Sequence, residues 1–300
     1  MSSSLGTPVP SGLLLVDKPG GITSHGAVSV ARRALGTRKV GHAGTLDPMA
    51  TGLLILGVER STRLLGHLAL HDKEYLATIR LGSTTVTDDA EGELLSSAPA
   101  GLVDGLTEAA IDAAMDTLTG EIQQVPSSVS AIKVDGKRSY ARVRAGEDVD
   151  LKARAVTVSA FERVSMRRLG DWLDIEVRVE CSTGTYVRAL ARDLGEALGV
   201  GGHLTMLRRT RIGVFDVKRA ASLDELNAQS LIPLTEAART CFPTLTLDSE
   251  NSEHVRHGRQ CECSLTELTE LTALLSDKGE LLALAEPAGD RLRYLAVFVG

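Results

Sequence analysis

The stretch from Gly41 to Leu54 constrains the possible folds of this chain more than any other part of the sequence. Its sequence, GHAGTLDPMATGLL, consists largely of small residues and is therefore a poor candidate for a packed core. Its glycines allow tight turns and a close approach of the backbone to a ligand. Pro48 fixes its own φ and biases Asp47 towards an extended conformation. The stretch is predicted to be a rigid loop that presents the Asp47 carboxylate.

An Asp-Pro pair on its own is more often an ordinary turn than a functional site. The complete string Gly-His-x-Gly-x-Leu-Asp-Pro-x-Ala-x-Gly is more specific, and it resembles the nucleophile motif of the TruB family of bacterial tRNA pseudouridine synthases. The resemblance extends over residues 12–219, because other blocks similar to motifs of the family follow in the right order. These blocks are Asp17-Lys18-Pro19, Lys73-x-Tyr75, Gly184-Thr185-Tyr186-x-Arg188 and Leu207-Arg208-Arg209.

The resemblance implies an α+β fold of the pseudouridine synthase type, in which helices flank a mixed, mainly antiparallel sheet and the site lies in a central cleft. The residue patterns agree, because predicted strands and helices do not alternate as regular βαβ units. In residues 73–82, every second residue from Tyr75 to Leu81 is apolar, which predicts a strand. Short strand-like segments near 244–247, 281–284 and 293–299 predict a small C-terminal β-rich domain.

The predicted domain organisation has three parts. Residues 1–10 have neither a basic nor a long apolar region, so they are expected to form a disordered lead rather than a signal peptide. Residues 11–230 are expected to form the catalytic domain, with an RNA-gripping insertion at about 124–152 that is implied by the resemblance. Residues 231–300 correspond in position and length to the small PUA-like domain of the family.

The predicted helix after Tyr186 has Arg188 in its first turn, where the helix dipole disfavours a cation. Arg188 therefore needs a carboxylate partner. The resemblance implies that this partner is Asp47, that Asp47 is the catalytic carboxylate, and that Tyr75 stacks on a flipped base and takes part in proton handling. Taken alone, a tyrosine on the apolar side of a strand is more often a core residue.

Four other residues are implied by the resemblance to contact the substrate or to lie next to the site. His42 would support the RNA loop from which the base is flipped, and Tyr186 and Leu207 would line the pocket. Lys18 belongs to a motif that packs near the active site, although a lysine beside a turn can equally be solvated.

The charge distribution predicts where the RNA backbone binds. The formal net charge is -6, but residues 122–219 carry +6, whereas residues 1–121 carry -5 and residues 220–300 carry -7. A local basic region attracts a polyanion over about a Debye length, whatever the total charge. The alternative is that these side chains are solvated or form intramolecular ion pairs. The predicted RNA-binding residues are Lys133, Lys137, Arg138, Arg208, Arg209 and Arg211.

Several other classes of protein are disfavoured. No apolar run approaches the roughly 20 residues that span a bilayer, so no membrane association is expected. The four cysteines are too few and too unevenly spread for a disulfide framework, which favours a cytoplasmic protein. Cys261 and Cys263 could form half of a metal site, but no second ligand pair follows. Without a Walker, Rossmann or zinc signature, neither a cofactor nor a metal is expected.

The activity implied by the resemblance is the isomerisation of uridine 55 in the T loop of tRNA to pseudouridine. The base must leave the stack before it can react. A single carboxylate could then act as a nucleophile or as a base that removes a sugar proton. The expected partner is the tRNA T stem-loop, with no obligate protein partner, and the protein is expected to be a monomer.

Two other functions fit parts of the pattern. A glycosidase-like enzyme would also use Asp47 at the sugar, but water would complete the reaction and free uracil would leave. A non-catalytic RNA-binding or RNA-folding protein could retain the fold without the chemistry, although Asp47, Tyr75 and Arg188 are all present. Help with tRNA folding could also accompany catalysis.

Overall fold

The computed structural model of the 300-residue chain describes residues 9–127, 133–134, 137–138, 151–261, 268, 270–289 and 291–299. Within these residues, strands predominate over helices. The strands are β1 Gly12–Lys18, β2 Val40–Ala43, β3 Thr51–Val58, β4 Lys73–Leu81, β5 Ser83–Thr85, β6 Leu94–Ser97, β7 Gly120–Gln124, β8 Lys133–Val134, β9 Lys137–Arg138, β10 Arg154–Leu169, β11 Trp172–Cys181, β12 Gly202–Ile212, β13 Phe215–Asp216, β14 Ile232–Pro233, β15 Thr244–Thr246, β16 Thr272–Leu275, β17 Leu281–Ala288 and β18 Arg291–Val297.

The helices are short, and none in the described part of the chain is long and apolar enough to cross a membrane. The α-helices are α1 Ser24–Leu35, α2 Leu65–Leu68, α3 Glu108–Thr117, α4 Val187–Ala197, α5 Leu234–Cys241 and α6 Ser249–Arg256. Short 3₁₀-helices occupy Glu59–Leu64, Val103–Gly105, Val217–Arg219, Leu223–Glu225 and Ala228–Ser230.

The main sheet has ten strands among the described residues, and eight of them follow in the order β14-β1-β3-β12-β4-β11-β10-β7. The remaining two, β2 and β13, pair with β3 and β12. All of its pairings are antiparallel except that between β3 and β12. This mixed, mainly antiparallel sheet with flanking helices confirms the predicted α+β fold.

Alternating burial along β4 explains why these residues form a strand in the middle of the sheet. Tyr75, Ala77, Ile79 and Leu81 are buried, whereas Leu76 is exposed on the opposite face. Successive side chains of a strand point to opposite faces, so this pattern fills one face and leaves the other in contact with solvent. The buried face packs in a cluster that includes side chains from α4.

Helix α1 begins and ends where its sequence specifies. The Thr23 hydroxyl accepts a hydrogen bond from the Gly26 amide at 3.0 Å, which satisfies one of the free N–H groups of the first turn. Gly36 ends the helix in the left-handed conformation. Its apolar face, which includes Ala27 and Ala31, packs against β1 and β3 in one cluster.

The C-terminal part forms a second sheet of four described strands in the order β15-β16-β17-β18. Its buried side chains, such as Leu284 and Phe298, share one apolar cluster with Leu13 of β1 and Ile55 of β3. The two sheets are therefore joined by a common core. The predicted domain boundary between residues 230 and 231 stays a prediction. β14 lies just after it in the sequence and pairs with β1 of the main sheet.

Strands β7 and β10 are hydrogen-bonded neighbours, and their pairing begins with Gln124 opposite Arg154. The chain between them contains the predicted RNA-gripping insertion, most of which lies outside the described residues. Its described part is the two-stranded β8–β9 ladder, in which Lys133 pairs with Arg138.

The crossing of β3 and β12 gives a test of the fold. Gly52 has φ +100°, and a Cβ built on it would lie 2.2 Å from the carbonyl oxygen of Arg209. The backbone of both strands would have to move, so Gly52→Ala is expected to lower the free energy of unfolding by roughly 2–5 kcal/mol in urea denaturation.

The matched control for this substitution is Gly66→Ala. Gly66 lies in α2 with no atom within 4 Å of the position that a Cβ would occupy. Alanine is favoured over glycine in a helix by about 1 kcal/mol, so this variant is expected to be neutral or slightly stabilised. Equal effects of the two substitutions would contradict the close approach at Gly52.

Candidate active site

The Asp47 loop is held on one side by the ammonium of Lys18. This side chain is fully buried at the end of β1, and its Nζ donates hydrogen bonds to the carbonyl oxygens of Pro19 at 2.9 Å, Ile22 at 2.8 Å and Pro48 at 3.2 Å. Burial lowers the pKa of Lys18 to about 8, while nearby Asp47 acts in the opposite direction. Three hydrogen bonds use all the donors of an ammonium. Lys18 therefore positions the Asp47 loop, and a contact of its side chain with the substrate stays a prediction.

A second support of the loop is Ser24, the first residue of α1. Its hydroxyl accepts a hydrogen bond from the Leu46 amide at 2.9 Å and donates one to the Leu46 carbonyl oxygen at 3.0 Å. This buried pair ties the residue before Asp47 to the N-terminus of α1, so the helix and the loop are held in one arrangement.

Arg209 of β12 supports the loop from the other side. It is 1% exposed, and its guanidinium donates to the carbonyl oxygens of Leu53 at 2.7 Å, Thr45 at 3.3 Å and Gly44 at 3.3 Å. Arg209 thus holds the loop in place through its backbone. A count of charges along the sequence does not distinguish buried cations from exposed ones, and the RNA contact predicted for Arg209 stays a prediction.

The predicted pair between Asp47 and Arg188 is present. Arg188 Nε lies 3.0 Å from Asp47 Oδ2, and the arginine side chain is 6% exposed while that of Asp47 is 35% exposed. Because the pair is largely withdrawn from water, its charge-assisted hydrogen bond is stronger than one at the surface. The carboxylate therefore faces the cavity from a fixed position.

Arg188 has further partners that the sequence analysis did not identify. Its Nη1 lies 3.6 Å from Asp89 Oδ2 and donates to the Thr87 carbonyl oxygen at 2.9 Å and to Ser127 Oγ at 3.3 Å. Asp89 is buried in the turn between β5 and β6. In the sequence, the acidic residues of this turn indicate that a carboxylate could face a cation. The sequence does not distinguish Asp89 from the neighbouring carboxylates in this respect.

The Asp47 carboxylate lies on the wall of a cavity of about 250 Å³. The structure brings Tyr75, Tyr186, Arg188 and Leu207 together here, as predicted. Burial raises the pKa of Tyr75, which keeps its hydroxyl protonated. The residues that line the cavity are Gly44, Thr45, Leu46, Asp47, Ala69, Lys73, Tyr75, Thr183, Gly184, Thr185, Tyr186, Val187, Arg188, Leu207 and Arg209.

Lys73, at the start of β4, is a lining residue that the sequence analysis missed. It is buried, and its Nζ donates to the carbonyl oxygens of Ala69 at 2.8 Å and His71 at 2.6 Å. Burial, followed by the neighbouring Arg209 guanidinium, lowers the pKa of Lys73 to about 8. The cavity wall thus carries desolvated cations next to the carboxylate.

His42 lies on β2, outside the set of cavity-lining residues. Its ring centroid is 5.3 Å from that of His25 on α1, in an edge-to-face arrangement. Burial, His25 and Arg209 lower the pKa of His42, which favours the neutral imidazole. Its predicted contact with the RNA loop stays a prediction.

The remaining predicted RNA-binding residues differ in their surroundings. Arg208 forms a two-point ion pair with Asp17, with Nη2 2.7 Å from Oδ2, and Arg211 Nη2 lies 2.5 Å from Glu180 Oε1. These contacts match the alternative of intramolecular ion pairing. Lys133, Lys137 and Arg138 are strand residues of the β8–β9 ladder, and their RNA contacts stay predictions.

Chemically, the site combines a fixed carboxylate, an apolar and aromatic pocket and desolvated cations. Such a site can hold a planar base against Tyr75 and Leu207 while the carboxylate reacts at its sugar or ring. No group of three His, Cys, Asp or Glu side chains within the described ranges could hold a metal ion.

Comparison with known proteins identifies the family of this chain. The family model for the TruB family pseudouridylate synthase N-terminal domain matches residues 32–187, and that for the tRNA pseudouridylate synthase B C-terminal domain matches residues 188–242. Proteins named tRNA pseudouridine synthase B from Cutibacterium acnes and Leifsonia xyli subsp. xyli are each 55% identical to this chain. The matches cover 94% and 97% of this chain and 95% and 97% of those proteins.

Solved structures show the same fold. A chain in the crystal structure of a Cbf5-Nop10-Gar1 complex has a TM-score of 0.71 and 25% identity, with 100% of this chain and 91% of that chain covered. The fold and the site therefore define a pseudouridine synthase, an isomerase. Within that class, this chain belongs to the TruB family.

The contact between Asp89 and Arg188 gives a test of the site. Removing the charge of Asp89 leaves the buried guanidinium with one carboxylate, so its position beside Asp47 is less fixed. Asp89→Asn is expected to slow single-turnover pseudouridine formation at least about tenfold. The control is Asp116→Asn, which removes an exposed carboxylate of α3. Equal rates for the two variants would remove Asp89 from the site.

The lowered pKa of Lys73 predicts a dependence of stability on pH. Between about 8 and the ordinary value of 10.5, the unfolded chain binds a proton at Lys73 that the native state has released, so stability rises with pH. From pH 7 to pH 10, the wild type is expected to gain roughly 2–3 kcal/mol relative to Lys73→Met in urea unfolding.

The control for this measurement is Lys278→Met, at an exposed turn before β17. The free energy of unfolding of this variant should change with pH as that of the wild type does, because the exposed lysine is not desolvated on folding. If the free energy of unfolding of Lys73→Met varied with pH in parallel with that of the wild type, the result would contradict the burial of a charged ammonium at Lys73.

Proposed function

We propose that this protein isomerises uridine 55 in the T loop of tRNA to pseudouridine, with Asp47 as the catalytic carboxylate. The observation that carries the proposal is the Asp47–Arg188 pair on the wall of a cavity with Tyr75 and Leu207. The name of the relatives, tRNA pseudouridine synthase B, supports tRNA as the substrate. The choice of position 55 rests on the family resemblance of the motifs.

The reaction rearranges bonds without adding or removing atoms. The bond from N1 of uracil to the sugar carbon breaks, the base rotates within the cavity, and C5 forms a bond to the same carbon. C5 then loses its proton and N1 gains one, so the product is an isomer of the substrate. Asp47 acts either as a nucleophile at the sugar or base, or as a base that removes a sugar proton.

The other residues of the site have distinct roles in this proposal. Arg188 stabilises the negative charge of Asp47 and fixes its direction. Tyr75 stacks on the flipped base and Leu207 contacts its edge, while Tyr186 lines the entrance. His42 supports the RNA loop from which the base is flipped.

The RNA itself is gripped by the segment between β7 and β10, including Lys133, Lys137 and Arg138. The protein acts in the cytoplasm as a monomer and requires neither an obligate protein partner nor a cofactor. A role in tRNA folding accompanies the activity, because a protein that flips a base must first loosen the T loop around it.

Replacement of the carboxylate tests the proposal. With an unmodified tRNA transcript tritiated at C5 of uridine, the wild type should release tritium and leave the mass of the unlabelled RNA unchanged. Asp47→Asn should reduce the rate to below about one hundredth, while tRNA affinity stays near that of the wild type because most contacts are to phosphate and sugar. Mapping of pseudouridine along the product locates the modified position.

The exposed Asp104, which lies away from the cavity in a 3₁₀ turn, gives the control variant Asp104→Asn. It should keep the activity of the wild type. Residual turnover of Asp47→Asn above about one hundredth would remove Asp47 from the central role. Release of free uracil by the wild type would instead indicate a glycosidase.

A further inference from the structure

The exposed side of α1 carries a line of polar and basic side chains. His25, Ser29 and Arg33 follow at intervals of four residues and are all exposed, so they lie one above another along the helix. Arg38, just beyond the helix end at Gly36, is exposed as well. We refer to His25, Ser29, Arg33 and Arg38 as the α1 stripe.

The α1 stripe starts next to the active site. Ser24, which precedes His25, is bonded to Leu46 in the Asp47 loop, and the rings of His25 and His42 are in contact. A helix of 12 residues extends over about 18 Å, so Arg33 lies roughly that far from the loop at most.

The helix also adjoins the cavity. Leu46, which is hydrogen-bonded to Ser24 at the start of α1, is one of the cavity-lining residues. The apolar side of α1 packs against β1 and β3, which leaves the α1 stripe exposed on the outer side. An extended polymer whose nucleotide enters the cavity can therefore continue along α1.

The charge of this region differs from that of its surroundings. Residues 18–58 contain five Lys and Arg residues and one acidic residue, which is Asp47 itself. The other residues up to 121 contain four basic and thirteen acidic side chains. Within the described part of the chain, Arg33 and Arg38 have no side-chain ion pair or hydrogen bond, in contrast to Arg208 and Arg211.

We propose that the α1 stripe binds the sugar-phosphate backbone of the tRNA whose uridine enters the cavity. This inference rests on the proposed function and adds a second contact surface to it, separate from the segment between β7 and β10. Exposed guanidinium groups without carboxylate partners are suited to phosphate oxygens. The Ser29 hydroxyl donates to the His25 carbonyl oxygen at 3.0 Å, so the two arginines are the phosphate-binding groups of the stripe.

A structural role of the helix end accounts for only part of this pattern. Cations in the last turn of a helix interact favourably with its dipole, and Arg32 Nη2 also donates to the Val40 carbonyl oxygen at 2.8 Å. Arg38 lies beyond the helix and makes no such contact with the described residues. Stabilisation of α1 therefore accounts for Arg32 and Arg33, which both lie in the last turn, but not for Arg38.

The test is the salt dependence of tRNA binding by Arg33→Gln/Arg38→Gln. Binding is measured in the Asp47→Asn background, so that the unmodified tRNA transcript is not converted. Loss of two phosphate contacts should reduce the log-log salt slope by about 1.4–1.8 and the affinity at 0.15 M salt roughly tenfold or more. With Asp47 intact, the rate at saturating tRNA and the melting temperature should stay close to wild type.

Two controls separate local contact from net charge. Arg33→Lys/Arg38→Lys keeps both charges and should restore most of the affinity and slope. Arg167→Gln/Lys278→Gln removes two exposed cations elsewhere and should change neither. Wild-type affinity and slope in the Arg33→Gln/Arg38→Gln variant, or an equal loss in the second control, would overturn the inference. A wild type that binds tRNA but forms no pseudouridine would count against the proposed function alone.

Discussion

The active site depends on one nearly buried guanidinium. Arg188 lies in the first turn of α4, where the helix dipole opposes a cation, and it stays there because Asp47 and Asp89 compensate its charge from two sides. The same contact connects three distant parts of the chain: a loop after β2, the turn after β5 and the start of α4. Catalytic geometry and local folding are therefore determined by the same electrostatic arrangement.

The Asp47 loop is held mainly through its backbone. Lys18, Ser24 and Arg209 bond to carbonyl or amide groups of the loop, so its side chains remain available to the cavity. The partners of Lys18 and Arg209 in the loop are neutral carbonyl groups, which do not cancel the charge of the two cations. The electrostatic potential at the site therefore stays positive. This arrangement suits an anionic substrate, since the charges are already desolvated when the RNA arrives.

The sequence predicted the strands best where apolar residues alternate, as in β4. β16 was missed, because its buried residues form an uninterrupted run without periodicity. The pair of Asp47 and Arg188 followed from the family motifs. The burial of Arg209 and the partnership of Asp89 depend on how β12 and the acidic turn pack, which no local pattern encodes.

The pairing of β7 with β10 has a consequence for how the protein can vary. Gln124 and Arg154 face each other across adjacent strands, so the segment between them leaves and rejoins the sheet at one point of its edge. Doubling the length of a flexible closed loop costs only about 0.6 kcal/mol. Changes in the length of that segment that leave Ser127 beside Arg188 therefore need not alter the register of the main sheet. Variation in length at this edge is in this way separated from the strand pairing that holds the catalytic core together.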